Sequence, residues 1–179
     1  KDAFMQAVAK ELGAELSDIL DYELTIYPTD KPEFVGLNAE FVSSPRLDNI
    51  TSTQALIEGI TAADRKAGIN MICVFDHEEI GSRSKQGACS TMLPHVIEKI
   101  YLTLGYTLID AKNAMDESML MSVDVSHAYH PNYGGKYDVT NRHIMNKGFA
   151  IKEACSQSYA TDCEAISNVQ QICDKEGIA

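Results

Sequence analysis

A chain of 179 residues with 45% hydrophobic and 23% charged residues has the make-up of one globular domain able to bury a core. Its formal net charge of −11 argues against nucleic acid or an anionic membrane as partner, and no apolar run approaches the roughly 20 residues of a membrane helix. The five cysteines are odd in number and lack C-x-x-C spacing, so they read as free, buried thiols in a reducing cytoplasm rather than a disulfide framework.

The N-terminal stretch is amphipathic and mixed in charge, unlike a signal peptide, with Phe4, Met5, Val8, Ala9 and Leu12 at helical spacing and a stop at Gly13. Alternation around Leu24, Ile26 and Pro28 predicts a strand ending in a turn. "EFVSSPRLDN" is an extended run broken by Pro45. A helix is expected from Thr51 to about Ala67, with Asn49, Thr51 or Ser52 available as cap. "INMICVF" reads as a buried strand, and "TMLPHVIEKIYLTLG" as a helix entered near Pro94. Residues 107–120 mix helix with the approach to a strand, and "LMSVDVSHAYHPNYGG" continues as a strand breaking into a loop. "GFAIKEAC" reads as a strand, followed by a last helix capped by Thr161 or Asp162 and stopped by Gly177. Strand and helix alternate, which predicts an α/β fold with a sheet covered on both faces.

Three acidic segments close expected strands: Asp48 in "SPRLDN", Asp76-His77-Glu78-Glu79 in "VFDHEEIGS", and Asp124 in "SVDVSHAYHPNY". In an open α/β sheet, sites gather at the carboxyl ends of strands. Carboxylates converging there need cations or protons to offset their charge. A zinc or manganese pair bridged by a carboxylate meets that need. It also calls for a glutamate that is not a ligand, placed to take a proton from the attacking water. Neighbouring strand residues point to opposite faces, so Glu78 and Glu79 can divide these two tasks. Each feature has a plainer reading: surface acids for Glu78-Glu79, a helix cap for Asp48, and structural hydrogen bonding for His127 and His130.

Taken together, "SPRLDN", "DHEEIGSRSKQGA" and "VDVSHAYHPNY" resemble the M18 metallo-aminopeptidases, the aspartyl aminopeptidases, over most of the chain. That resemblance implies a three-layer α/β/α exopeptidase domain with two zinc ions per complete site, for which manganese or cobalt could substitute. It implies release of N-terminal residues, preferably Asp or Glu, by a large hollow homo-oligomer, commonly a dodecamer. Carried over residue by residue, Asp48 is the bridging ligand, Glu78 the general base, Glu79 a ligand and Asp124 a ligand of the other ion. His127, Lys152 and Tyr159 match substrate-binding positions. Locally, Lys152 and Tyr159 read equally well as a strand-edge lysine and a packed tyrosine.

The family also takes one histidine ligand from an "H-T-D" type segment and another from near its C-terminus, and neither motif occurs here. The expectation is therefore an incomplete catalytic domain over residues 18–179. Residues 1–17 would be the tail of an inserted oligomerisation domain or a return segment. A catalytically silent assembly chain and another two-metal hydrolase, such as a phosphatase, are the alternatives.

Overall fold

The computed structural model describes residues 2–156 and 158–178, in two compact units, one ending at Arg46 and the other beginning at Leu47. In the first, helix α1 spans Asp2–Leu12 and stops where Gly13 takes a φ of +65°, a conformation that glycine adopts without a Cβ clash. The Ala14 N–H then donates to the Ala9 carbonyl at 3.0 Å, closing the helix end. Ala9 is buried, whereas Phe4 and Leu12 remain exposed.

The strand expected around Leu24 and Ile26 does not form. Ile26 is 97% exposed, and an extended segment without a neighbour has no partner for its backbone groups. The first unit instead holds a short antiparallel pair, β1 (Glu33–Val35) and β2 (Phe41–Ser43), with Phe34 opposite Val42. β2 lies in the expected extended run; β1 was not anticipated, because three residues are too few to display a period of two.

Among its described residues, the second unit carries four α-helices: α2 (Leu47–Ala62), α3 (Met92–Thr103), α4 (Leu108–Asp116) and α5 (Cys163–Glu176). α2 ends before the expected Ala67, and its first turn departs from helical geometry at Asp48 and Asn49. α3 and α4 pack as a helical hairpin around Ala111, which is fully buried. Lys112 Nζ meets Glu98 Oε1 at 2.8 Å, and the Tyr106 ring of the connection lies tilted against Tyr101 with centroids 5.6 Å apart. For α5, Asp162 is the cap: its carboxylate accepts the Ala165 N–H at 2.9 Å, and Gly177 ends the helix in the left-handed region.

α4 begins with a reciprocal capping box. Thr107 Oγ1 accepts the Asp110 N–H, while Asp110 Oδ2 accepts the Thr107 N–H at 2.7 Å. Thr107→Ala is expected to cost about 1 kcal/mol, read as a lower denaturant midpoint. The hydrogen bonds from the Thr107 hydroxyl and N–H hold the Asp110 carboxyl below its ordinary range. A depressed carboxyl stabilises the fold above its unfolded pKa, and that stabilisation fades as pH falls through the folded value. Acid titration of the Thr107→Ala variant should therefore show a shallower loss of stability than the parent.

The segments expected as core strands, residues 69–75, 120–126 and 148–155, lie in no ladder; among the described residues the only sheet is β1–β2. This corrects the expected strands, and the three-layer arrangement itself is not seen. The reason is partnership: Val74, Leu120, Met121 and Phe149 are 55–75% exposed, so these stretches have apolar side chains but no neighbour to pair with. No helix among the described residues is long and apolar enough to cross a membrane.

Candidate metal centre

The kink at the start of α2 turns Asp48 and Asn49 towards the segment that carries Asp124. Asn49 Nδ2 donates to the Val123 carbonyl at 3.1 Å and to Asp124 Oδ1 at 3.3 Å. Its own Oδ1 is buried and has no partner among the described residues. Asp48 directly precedes Asn49 on the kinked turn and is among the groups that lower the Asp124 carboxyl. On the other side, Lys152 Nζ approaches Asp124 Oδ2 to 3.2 Å and lies 5.8 Å from the centre of the Tyr159 ring. Three of the seven expected site residues, Asp124, Lys152 and Tyr159, thus form one chain of contacts, and Asp48 adjoins it through its neighbour Asn49.

Burial by itself would raise the Asp124 carboxyl. The Val125 N–H at 2.7 Å, the Lys152 ammonium and Asp48 outweigh it, so the carboxyl sits below its ordinary range and is ionised at neutral pH. The Asp48 and Asp124 carboxyls, with the buried Asn49 amide oxygen that lacks a partner among the described residues, are oxygen donors of the kind that suits a divalent cation. They fit two of the oxygen ligands of a zinc centre. Among the described residues, no three His, Cys, Asp or Glu side chains converge, so Glu79 does not join this pair.

Glu78 and Glu79 occupy a 3-10 turn, Glu78–Ile80, rather than a strand end. The expected opposition of strand neighbours is replaced by the roughly 120° step of a 3-10 turn, which still separates the two side chains. Both glutamates are exposed, as is His127, and no hydrogen bond or ion pair among the described residues joins the three to the Asp48–Asp124 pair. His130 has the structural role its local sequence suggested: its Nδ1 accepts the Asn132 N–H at 3.2 Å, and its ring lies tilted against Tyr133 with centroids 5.1 Å apart. Asn49 was legible from sequence only as a helix cap; what marks it is its place directly after the bridging candidate Asp48.

The loop bearing the glutamates is tied to itself. The Asp76 N–H donates to the Gln86 carbonyl at 3.2 Å, Ser82 N–H to the His77 carbonyl at 2.9 Å, and Cys89 N–H to the Ser82 carbonyl at 3.0 Å. Gly87 is buried at the crossing, and a Cβ there would stand 2.1 Å from the Ser82 carbonyl oxygen. Because that neighbour is backbone, it can move only by breaking the loop's hydrogen bonds. Gly87→Ala should therefore destabilise the protein by about 1–3 kcal/mol, with faster amide exchange at Ser82 and Cys89.

Comparison with known proteins gives a consistent picture. The family model described as "Aminopeptidase I zinc metalloprotease (M18)" matches residues 1–179. A probable M18 family aminopeptidase 2 of Clostridium novyi is 41% identical over 177 residues, covering 99% of this chain and 41% of the relative. The aspartyl aminopeptidase of Aspergillus oryzae is 40% identical over 184 residues, covering 96% of this chain and 37% of the relative. A structure titled "Cryo-EM structure of the Ape4 and Nbr1 complex" superposes with a TM-score of 0.78 at 34% identity, over 99% of this chain and 36% of that one. The chain belongs to the M18 family of aminopeptidases. It spans about two fifths of the length of the curated relatives it matches.

Proposed function

We propose that this chain supplies the carboxylate half of the active site of a zinc-dependent aminopeptidase that removes acidic N-terminal residues. The observation that carries this reading is the Asp48–Asp124 carboxylate pair, with the Lys152 ammonium 3.2 Å from Asp124 and close to Tyr159. Asp48, Asp124 and Glu79 are the residues proposed to hold metal. Bound zinc supplies Lewis acidity and makes water a better nucleophile at neutral pH. Glu78 is the proposed base that accepts the proton of the attacking water and returns it to the leaving amine. Lys152 is a cation suited to the side-chain carboxylate of an N-terminal Asp or Glu, with His127 and Tyr159 as further contacts to the peptide. The aspartyl aminopeptidase relatives support the acidic preference. Residues 1–17 belong, in this reading, to the part of the protein that builds a homo-oligomer, which agrees with the exposed Phe4 and Leu12 of α1.

The test is a peptide panel on the full-length natural protein before and after chelation. Asp- and Glu-initiated peptides should be cleaved faster than Leu-initiated ones, activity should vanish on metal removal, and zinc should restore it. A zinc-restored preference for leucyl peptides would refute the acidic assignment, and cleavage of phosphoesters instead of peptides would refute the peptidase. A second reading, a catalytically silent assembly chain, draws on Glu79 standing apart from the carboxylate pair. Full-length protein that folds and assembles but neither retains zinc nor turns over any peptide would favour it.

A further inference from the structure

We propose that His77 is a positioning residue: through Ser84 and Asp76 it fixes the turn that presents Glu78 and Glu79. This inference rests on the roles proposed above for the two glutamates. His77 immediately precedes that turn and adopts the left-handed conformation, φ +61° and ψ +30°, which a residue with a Cβ rarely takes unless its surroundings enforce it. Here the enforcement comes from all sides. The His77 N–H donates to Asp76 Oδ1 at 2.8 Å, and its carbonyl accepts the Ser82 N–H at 2.9 Å. Its ring Nδ1 is 2.6 Å from Ser84 Oγ, and its Nε2 is 3.6 Å from Asp76 Oδ2.

Those contacts link both ends of the loop. Asp76 is itself anchored to Gln86, and Ser84 accepts the Gly87 N–H through its carbonyl at 3.1 Å. Between the anchors, the Glu78 carbonyl accepts the Gly81 N–H at 2.9 Å, and Gly81 and Ser82 are also left-handed. The two glutamates are exposed and make no side-chain hydrogen bond of their own among the described residues, so their directions are set by the backbone beneath them. Among the described residues, the His77 ring, with its side chain 29% exposed, is the side chain of "DHEEIGS" that reaches across the loop, to the Ser84 hydroxyl. A displacement of about 1 Å in a reacting group can cost about 10²-fold in rate, so a clamp one residue before the base acts on turnover rather than on substrate affinity.

Asparagine is the conservative replacement: it tolerates the left-handed region best among non-glycine residues, and its side-chain amide reaches about as far as Nδ1. The experiment compares His77→Ala, His77→Asn, Ser84→Ala and the His77→Ala/Ser84→Ala double variant in the full-length enzyme, with Glu78→Gln alongside. Amide exchange at Gly81 and Ser82 is followed on metal-free protein. His77→Ala should lower kcat about 10- to 100-fold with KM within about twofold, and speed exchange at both amides. His77→Asn should stay within about threefold of the parent. The double variant should cost less than the product of the single losses, as residues sharing one contact do. Strict multiplication of the losses, failure of asparagine to restore turnover, or an Ala variant with parental kcat overturns the proposal. Ser84→Ala keeps the test open if His77→Ala does not fold, because it removes the contact without touching the strained residue. If Glu78→Gln keeps its turnover, it is the role given to Glu78 that fails. Loss in Glu78→Gln with parental turnover in the His77 and Ser84 variants removes the positioning role alone.

Discussion

Glu78→Gln in the full-length enzyme should lower turnover by about 10²- to 10⁴-fold, the range that one general base contributes, while leaving zinc content at the parental level. The amide has the same size and reach as the carboxylate, but it cannot accept a proton from water. Glu79→Gln should behave differently, losing zinc and activity together, because an amide oxygen is a weaker ligand than a carboxylate. The contrast matters more than either result. Adjacent residues on a 3-10 turn point about 120° apart, so one can face the metal while the other faces the substrate. Metal analysis beside steady-state kinetics decides the matter. An empty site in Glu78→Gln, or full turnover with zinc retained, would reverse or remove the division of roles.

Lys152→Met should lower kcat/KM for Asp- and Glu-initiated peptides by about 10- to 100-fold and change Leu-initiated ones little. A hydrogen bond to a charged group contributes about 1.5–3 kcal/mol, which corresponds to that span. Methionine keeps much of the aliphatic stem but removes the cation, and with it the approach of Nζ to the Tyr159 ring. The same substitution takes away one of the groups that holds the Asp124 carboxyl low, so that carboxyl should titrate closer to its ordinary range in the variant. An equal loss on acidic and leucyl peptides would show that Lys152 serves Asp124 rather than the substrate.

What the sequence by itself determined lies in local patterns. Helical spacing with a terminal glycine marked α1, and Asp162 stood at the start of α5 as one of two possible caps. The acidic motifs named the family because their residue types and spacing survive in linear order. Only the tertiary structure decided what depends on distant partners. Periodicity in "INMICVF" and "GFAIKEAC" reports apolar side chains, but a strand exists only where a second backbone accepts its hydrogen bonds, and among the described residues these segments have no such partner. Likewise, 75 positions separate Asn49 from Asp124 and 28 separate Lys152 from it, and no local propensity encodes such pairs. The turn at Glu78 required a left-handed His77, which is decided by Ser84 seven residues on and by a backbone crossing at Gly87. Composition cannot report such a conformation, because the loop's closure enforces it against the residue's own preference.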